Sequence, residues 1–364
     1  MSEPPQVGQI IGKTVEYLER PSVVGFEGPF FAHLGRDFAA LGCEVERHEK
    51  LLSVSREPSQ AEILSCHIDR HGLVSTGHGE FEYAAFVASA DDDGEDVSAS
   101  RSMLRKICDR FFGEPVHAYA PGNGEILARG EVEHAYFCPN RDNLVFRVPG
   151  LEMLPVGTPA SFHRPCQIDS RRLTGQLDNA ISAAFSYALF ESGFAGRALF
   201  TAEEEIGKSW SHTLAFLEEH RLHTRELLVL DTSPFPDEAA IDEGRVVLRN
   251  RDAHGEFNPE LVSRMEFLCQ EQLIPYQMKD EWIASQNLER NKNGRKPAGL
   301  GSTELGRLVS STQGAVNGAT LQCPTFGYHS NRETTSRRAI AQVWRLLSSL
   351  LLSKRGRGAP ELRA

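Results

Sequence analysis

The sequence predicts an α/β protein: a mixed-sheet α/β/α core with a β-rich domain inserted into it. Three observations point there. Strand and helix patterns alternate over 180–231, a β-textured stretch interrupts the chain at 74–165, and two amphipathic helices precede the first strands. At 364 residues the chain has room for roughly two domains and a sizeable core. It divides into a first part of the main domain at 1–73, the insertion at 74–165, the rest of the main domain at 166–353 and a tail at 354–364.

The opening helix follows from Val7, Ile10, Ile11, Val15 and Leu18 at spacings of three and four, and a second runs over 30–41 until Gly42 ends it. Residues 43–48, 51–55 and 61–67 then alternate or run apolar between turn residues, as strands do, the third ending at His67. Inside the insertion, 81–88, 115–120, 125–128 and 143–148 are short strand-like runs broken by Gly, Pro and Asp, with one helical interruption at 97–112. Beyond it, 180–190 reads as a compact apolar helix, 197–202 as a strand, 209–219 as a helix and 226–231 as an apolar buried strand. The polar run 286–296 has no periodicity and reads as a loop. A helix restarts at 303–310, 319–324 is a strand, and 335–352 is a long amphipathic closing helix.

Charge narrows the function. Fifty acidic against 39 basic residues give a formal charge of −11, a surface that repels phosphate backbones and argues against nucleic acid as a partner. No stretch of about 18 apolar residues and no signal-like start occur, so a soluble, cytoplasmic protein without a membrane partner is expected. Seven scattered Cys with no C-x-x-C pair argue against a disulfide framework and a thiolate zinc site; most are expected as small core residues. The short basic tail at 354–357 reads as a frayed terminus.

Metal-ligand residue types stand at the ends of the apolar strands. His67 and Asp69 form a His-x-Asp pair, in which a carboxylate two positions on can hold the free N–H of a metal-bound imidazole. Asp178 stands where a loop becomes an apolar helix, a place where an N-cap is the ordinary alternative. Glu203, Glu204 and Glu205 follow a strand directly, where their mutual repulsion calls for compensating cations. Asp231 finishes an apolar run, and His329 follows Pro-Thr-Phe-Gly-Tyr and precedes Ser330 and Glu333. Together these residue types suit a dinuclear zinc site: a bridging carboxylate, with one terminal carboxylate and one His for each metal. His71 is expected as a solvated turn residue, Trp210 and Trp282 as packing residues. His163, Cys166 and Asp169 match no site.

In this order, His-x-Asp, a long β-rich insertion, Leu-Asp-Asn at 177–179, Glu-Glu-Ile-Gly at 204–207, a strand-end Asp and a late His-Ser-x-x-Glu resemble the dinuclear zinc aminopeptidases of the glutamyl aminopeptidase and tetrahedral (TET) aminopeptidase family, over about residues 5–350. The segment at 274–277 also resembles that family's Ile-Pro-x-Gln strand. The resemblance implies a metallopeptidase that removes N-terminal residues from peptides, a PDZ-like or barrel insertion, a homo-oligomer, and two divalent metal ions per subunit, zinc expected and cobalt or manganese compatible. It places His67 and Asp231 on one metal, Glu205 and His329 on the other, and Asp178 between them. Glu204 is the general base for a metal-activated water, and Asp69 orients His67. Two departures stand out: Ala180, where the family commonly has Arg, and Glu304 in a Gly-Ser-Thr-Glu segment where it has Asp. They motivate an alternative, an amidohydrolase or deacylase of the same mechanism acting on N-acyl amino acids. A non-catalytic binding or scaffold protein is a further alternative.

Overall fold

Four parallel strands make the centre of the molecule. In the computed structural model, which describes residues 4–57, 62–85 and 101–352, Arg197–Thr201, Ile63–His67, Leu227–Phe235 and Gly318–Phe326 lie side by side in that order. Every residue of Arg197–Thr201 and Ile63–His67 is buried, as expected of parallel strands covered on both faces, and their near-continuous apolar sequences follow from that burial. Antiparallel neighbours extend the sheet. Leu51–Ser55 and Glu44–Arg47 continue it on one side, and Glu333–Ser336, Arg172–Gly175 and Gln167–Ile168 on the other. Val246–Leu248 and Tyr276–Met278 branch from Gly318–Phe326, completing an 11-stranded mixed sheet.

Helices cover this sheet for reasons visible in their sequences. Ala180–Glu191 is apolar almost all round and lies against Ile63–His67 and Leu227–Phe235, buried itself under the first helix, Pro5–Leu18. Arg337–Leu351 turns Val343, Leu346, Leu347 and Leu350 inward, and Ser336 caps it by accepting from the Ala339 N–H. Thr303 caps Glu304–Ser311 in the same way through the Gly306 N–H. Gly28–Ala40 carries Pro29 in its first turn, where the missing N–H costs nothing.

A second sheet of seven antiparallel strands lies within 72–162, in the order Ile126–Glu131, Pro115–Tyr119, Pro159–Phe162, Gly72–Gly77, Glu80–Tyr83, Asn143–Arg147, His134–Cys138. It has its own apolar cluster around Leu73, Phe81, Phe111, Phe146 and Phe162, with Phe111 stacked on Phe162 at 3.9 Å between ring centroids. Gly72 opens it where backbone must pass close to Val23: a Cβ there would lie 2.4 Å from Val23 Cγ2. The helix Arg101–Phe111 matches the expected interruption, whereas the rest of 97–112 at its N-terminal end, the end of the 81–88 run and the tail at 354–364 lie outside the described residues.

Two expectations need correction. The run 286–296 is not a loop through its length: Lys279–Lys292 is a helix that includes residues 286–292. Its exposed face is polar on nearly all sides, so no apolar period marks it. Asp280 and Glu281 in its first turn and Arg290 and Lys292 in its last complement the helix dipole. The closing helix begins at Arg337 rather than residue 335, because Thr335 and Ser336 belong to the strand Glu333–Ser336. The seven cysteines are free thiols, with Cys43, Cys66, Cys269 and Cys323 buried. Among the described residues, no helix is long and apolar enough to cross a membrane.

Candidate metal centre

Parallel strands in register bring their carboxyl ends to one line, and ligands in open α/β sheets gather beyond such ends. Thr201 stands opposite His67, and Asp231 opposite Gln322. The loops leaving these strands carry Glu203–Glu205 and His329, and the turn before Ala180–Glu191 brings Asp178 over them. His67 Nε2 lies 3.1 Å from Asp178 Oδ1 and 3.5 Å from Asp231 Oδ1. The other oxygen, Asp178 Oδ2, lies 3.6 Å from His329 Nε2, which is also 3.6 Å from Glu205 Oε2. The structure therefore brings His67, Asp178, Glu205, Asp231 and His329 together, with Asp178 presenting one oxygen to each half.

The glutamate turn is held from below. Asp69, fully buried, accepts from the backbone N–H of Glu204 and of Glu205, both at 3.0 Å. Glu203 adopts a left-handed φ of 64° and turns outward to Lys50 at 2.9 Å and His212 at 3.1 Å. His67 Nδ1 is nearer the Asp69 backbone carbonyl, at 3.3 Å, than its carboxylate, at 3.6 Å. Asp69 is thus placed chiefly to fix the segment that carries Glu204 and Glu205.

Several residues that sequence reasoning left without a role complete the site. Glu333 is fully buried and accepts from the backbone N–H of Asp178 at 2.8 Å and of His329 at 2.5 Å, tying two of the site's loops together. Its place in the His-Ser-x-x-Glu pattern was the available signal. Gln322 reaches Asp231 Oδ2 at 3.3 Å and accepts from the buried Arg249 guanidinium at 2.9 Å; a polar residue in the middle of a buried strand could have marked it. His71 is not a solvated turn residue. It is 6% exposed, with Nε2 2.8 Å from Glu205 Oε2. The second sheet and the helix Arg101–Phe111 also reach the site, since Tyr83 Oη hydrogen-bonds His71 Nδ1 and Arg110 donates to the His329 carbonyl at 3.1 Å.

Glu304 lies in the protein interior. It is 4% exposed and accepts from Ser65 at 2.6 Å, Thr201 at 2.9 Å and Thr213 at 3.0 Å, a buried tie between helix and sheet. Ala180 is likewise buried in the core at the start of its helix.

Without metal the centre is proton-laden. Burial, reinforced by the carboxylates of Glu205, Asp231 and Asp69 and opposed by His67, pushes Glu204 well above the usual carboxyl range. Burial and Asp178 raise Glu205 to about 8, against the pull of His329 and His67. Burial disfavours a charged His67, yet Asp178, Asp231 and Asp69 outweigh it and raise that imidazole well above its ordinary value. His71 is pushed by burial down to about 3.

The donor set fits divalent cations. His71 Nε2, Asp178 Oδ1 and Glu205 Oε1 are buried without any hydrogen bond, and imidazole with carboxylate is a donor set that zinc accepts readily. Two groups of potential ligands, His67 with Asp178 and Asp231, and His71 with Glu205 and His329, lie side by side. A third group, Glu16, His33 and Asp37, already holds an ammonium: Lys13 Nζ is 2.9 Å from Glu16 and 2.8 Å from Asp37. Metal uptake should expel protons. Glu205, raised to about 8, is mostly protonated at neutral pH and must ionise to bind a cation, so affinity rises with pH up to about 8 and falls as pH drops below it. Calorimetric titration of metal into the chelated protein, in buffers of differing ionisation enthalpy, should read a net proton release that shrinks above pH 8.

Comparison with known proteins places the chain. Residues 151–289 match the M42 glutamyl aminopeptidase family. No curated protein sequence matches significantly. Among solved structures, aminopeptidase APDkam598 of Desulfurococcus kamchatkensis aligns with a TM-score of 0.70 at 15% identity, covering 95% of each chain. A TET aminopeptidase of the Thaumarchaeota archaeon SCGC AB-539-E09 aligns at 0.68 and 16% identity, covering 94% of this chain and 95% of that one. The TET1 peptidase of Pyrococcus horikoshii, which can assemble into a tetrahedron or a large octahedral shell, aligns at 0.64 and 17% identity over 94% and 99%. The α/β/α fold read from the sequence is thus the fold of the TET aminopeptidases.

Proposed function

We propose that this chain, matching the glutamyl aminopeptidase family over residues 151–289 and sharing the TET aminopeptidase fold, is a metal-dependent aminopeptidase that removes N-terminal residues from peptides. One observation carries the reading: Asp178 offers one carboxylate oxygen to the His67–Asp231 half and the other to the Glu205–His329 half. His67 and Asp231 would hold one divalent ion, Glu205 and His329 a second, and Asp178 would be shared. Zinc is the metal the donors suit best, with cobalt and manganese accepted by the same atoms. When bound, such ions lower the pKa of water and polarise a carbonyl.

The chain's own residues supply the rest. Glu204 is half-buried beside the same cluster, its backbone fixed by Asp69, with a carboxyl whose proton affinity is raised by burial and by neighbouring carboxylates. In our reading it is the general base that takes the proton of the attacking water and the acid that returns it to the leaving amine. Asp69 positions Glu204 and Glu205 together, and Glu333 positions Asp178 and His329. The N-acyl alternative rested on Ala180 and Glu304, and Ala180 is packed in the core while Glu304 bonds Ser65, Thr201 and Thr213. Homo-oligomerisation of a cytoplasmic enzyme is part of the proposal. Leu127 on one outer strand of the second sheet, and Tyr136 and Phe137 on the opposite one, are exposed groups that support such contacts.

A panel of aminoacyl amides and short peptides with free or acetylated N-termini, assayed with metal analysis, tests the reading. Cleavage confined to free N-termini, abolished by chelator and restored by zinc or cobalt, is expected. Turnover of the N-acyl members alone, or no bound metal, would overturn it.

A further inference from the structure

We infer that His71 is a protein ligand of the ion assigned to Glu205 and His329, so that the two halves of the centre bind metal unequally. The inference rests on the dinuclear reading of the site. One potential donor atom each from His71, Glu205 and His329 lies within 4.8 Å of the others. His71 Nε2 is 2.8 Å from Glu205 Oε2, and the two imidazole centroids are 4.1 Å apart. Donors bound at about 2.0–2.1 Å to one zinc ion must crowd in this way.

A simple hydrogen bond between His71 and Glu205 would explain the proximity less well. His71 Nε2 is buried and, despite the short contact, makes no hydrogen bond. The opposite nitrogen is already engaged: Nδ1 meets the Tyr83 hydroxyl, and Tyr83 is 3% exposed. When Nδ1–H donates to that oxygen, the lone pair of Nε2 is left free and points into the cluster, the tautomer that a metal-bound imidazole requires. The backbone of His71 is pinned as well, since its carbonyl accepts from Gln176 Nε2 at 3.0 Å. The ring is therefore preorganised from both ends.

Counting donors gives the consequence. The half at His329 has His71, Glu205, His329 and a shared Asp178, enough to close a tetrahedral shell. The half at Asp231 has His67, Asp231 and the shared Asp178, which leaves a position open. The ion at His329 should be retained and the one at Asp231 should exchange first.

The test uses the full chain loaded with zinc or cobalt(II) and read by chelator titration, X-ray absorption and the visible spectrum of the cobalt form. In the unaltered protein, release in two steps and an average near three imidazoles per two metals are expected. His71→Gln should leave the weaker site as it was, weaken the tighter one at least about 10-fold, bring the two release steps together and remove one imidazole from the absorption count. Tyr83→Phe, which keeps the imidazole and removes only its Nδ1 partner, should weaken the same site less. If His71 were only a structural tie, His71→Gln would lower the melting temperature of the metal-free protein and leave metal affinities and the cobalt spectrum unchanged, overturning the inference. Loss of both ions from a folded His71→Gln protein would overturn it too. Absence of metal from the unaltered protein would instead remove the dinuclear reading itself.

Discussion

Glu204→Gln should keep both metal ions and lower kcat by about 10²–10⁴-fold, the range that a positioned general base contributes. The substitution is nearly isosteric, and the Glu204 backbone N–H that binds Asp69 is untouched, so the neighbouring Glu205 stays in place. What is lost is the ability to accept a proton. KM should change little, because the side chain acts on the water rather than on the ground-state peptide. Steady-state kinetics with metal analysis on the same sample separates the outcomes. Unchanged kcat with full metal content would remove Glu204 from the chemistry, and loss of metal would make it a ligand instead.

Asp178→Asn should have the broadest effect, weakening both halves of the centre. The unaltered protein gains stability from metal by mass action, about 4 kcal/mol when free metal is a thousand times the dissociation constant. In the variant that gain should shrink, so that melting curves with and without chelator draw together and fewer than two ions are bound per chain. A second effect appears without metal. Burial would raise the Asp178 carboxyl, but His329 and His67 hold it below the usual aspartate range. A depressed carboxyl pKa adds stability that is present above the unfolded value and lost as pH falls through the folded one. The metal-free variant should therefore melt below the unaltered chain at neutral pH, and the two should converge as pH falls toward strongly acidic values. Retention of two tightly bound ions in Asp178→Asn would overturn its placement between the metals.

Much of the site was legible because its ligands sit at local boundaries. An apolar strand that ends in His67, or one in which Asp231 breaks the apolar run, shows itself in a few residues of sequence, and so does the acidic turn after 197–201. The helix Lys279–Lys292 escaped because exposure on most sides leaves no period to read, and charge complementarity at its ends is a weak signal beside apolar spacing. Gln322 carried no more than the signal of a polar residue in an apolar strand, and Glu333 no more than its place in the His-Ser-x-x-Glu pattern.

By itself the sequence determined the α/β class, the interrupting β-rich stretch, and which carboxylates and imidazoles stand at strand ends. Those properties depend on near neighbours, on side-chain period and on turn chemistry. Tertiary structure alone decided which oxygen of Asp178 faces which histidine, that Asp69 grips the glutamate turn, that Glu304 is a structural tie, and that His71 is buried against Glu205. These are distances between segments far apart in the chain, set by the register of parallel strands and by the contacts that Tyr83 and Arg110 make with His71 and His329. Burial follows from that packing, and with it the raised pKa of Glu205, whose proton a bound cation must displace.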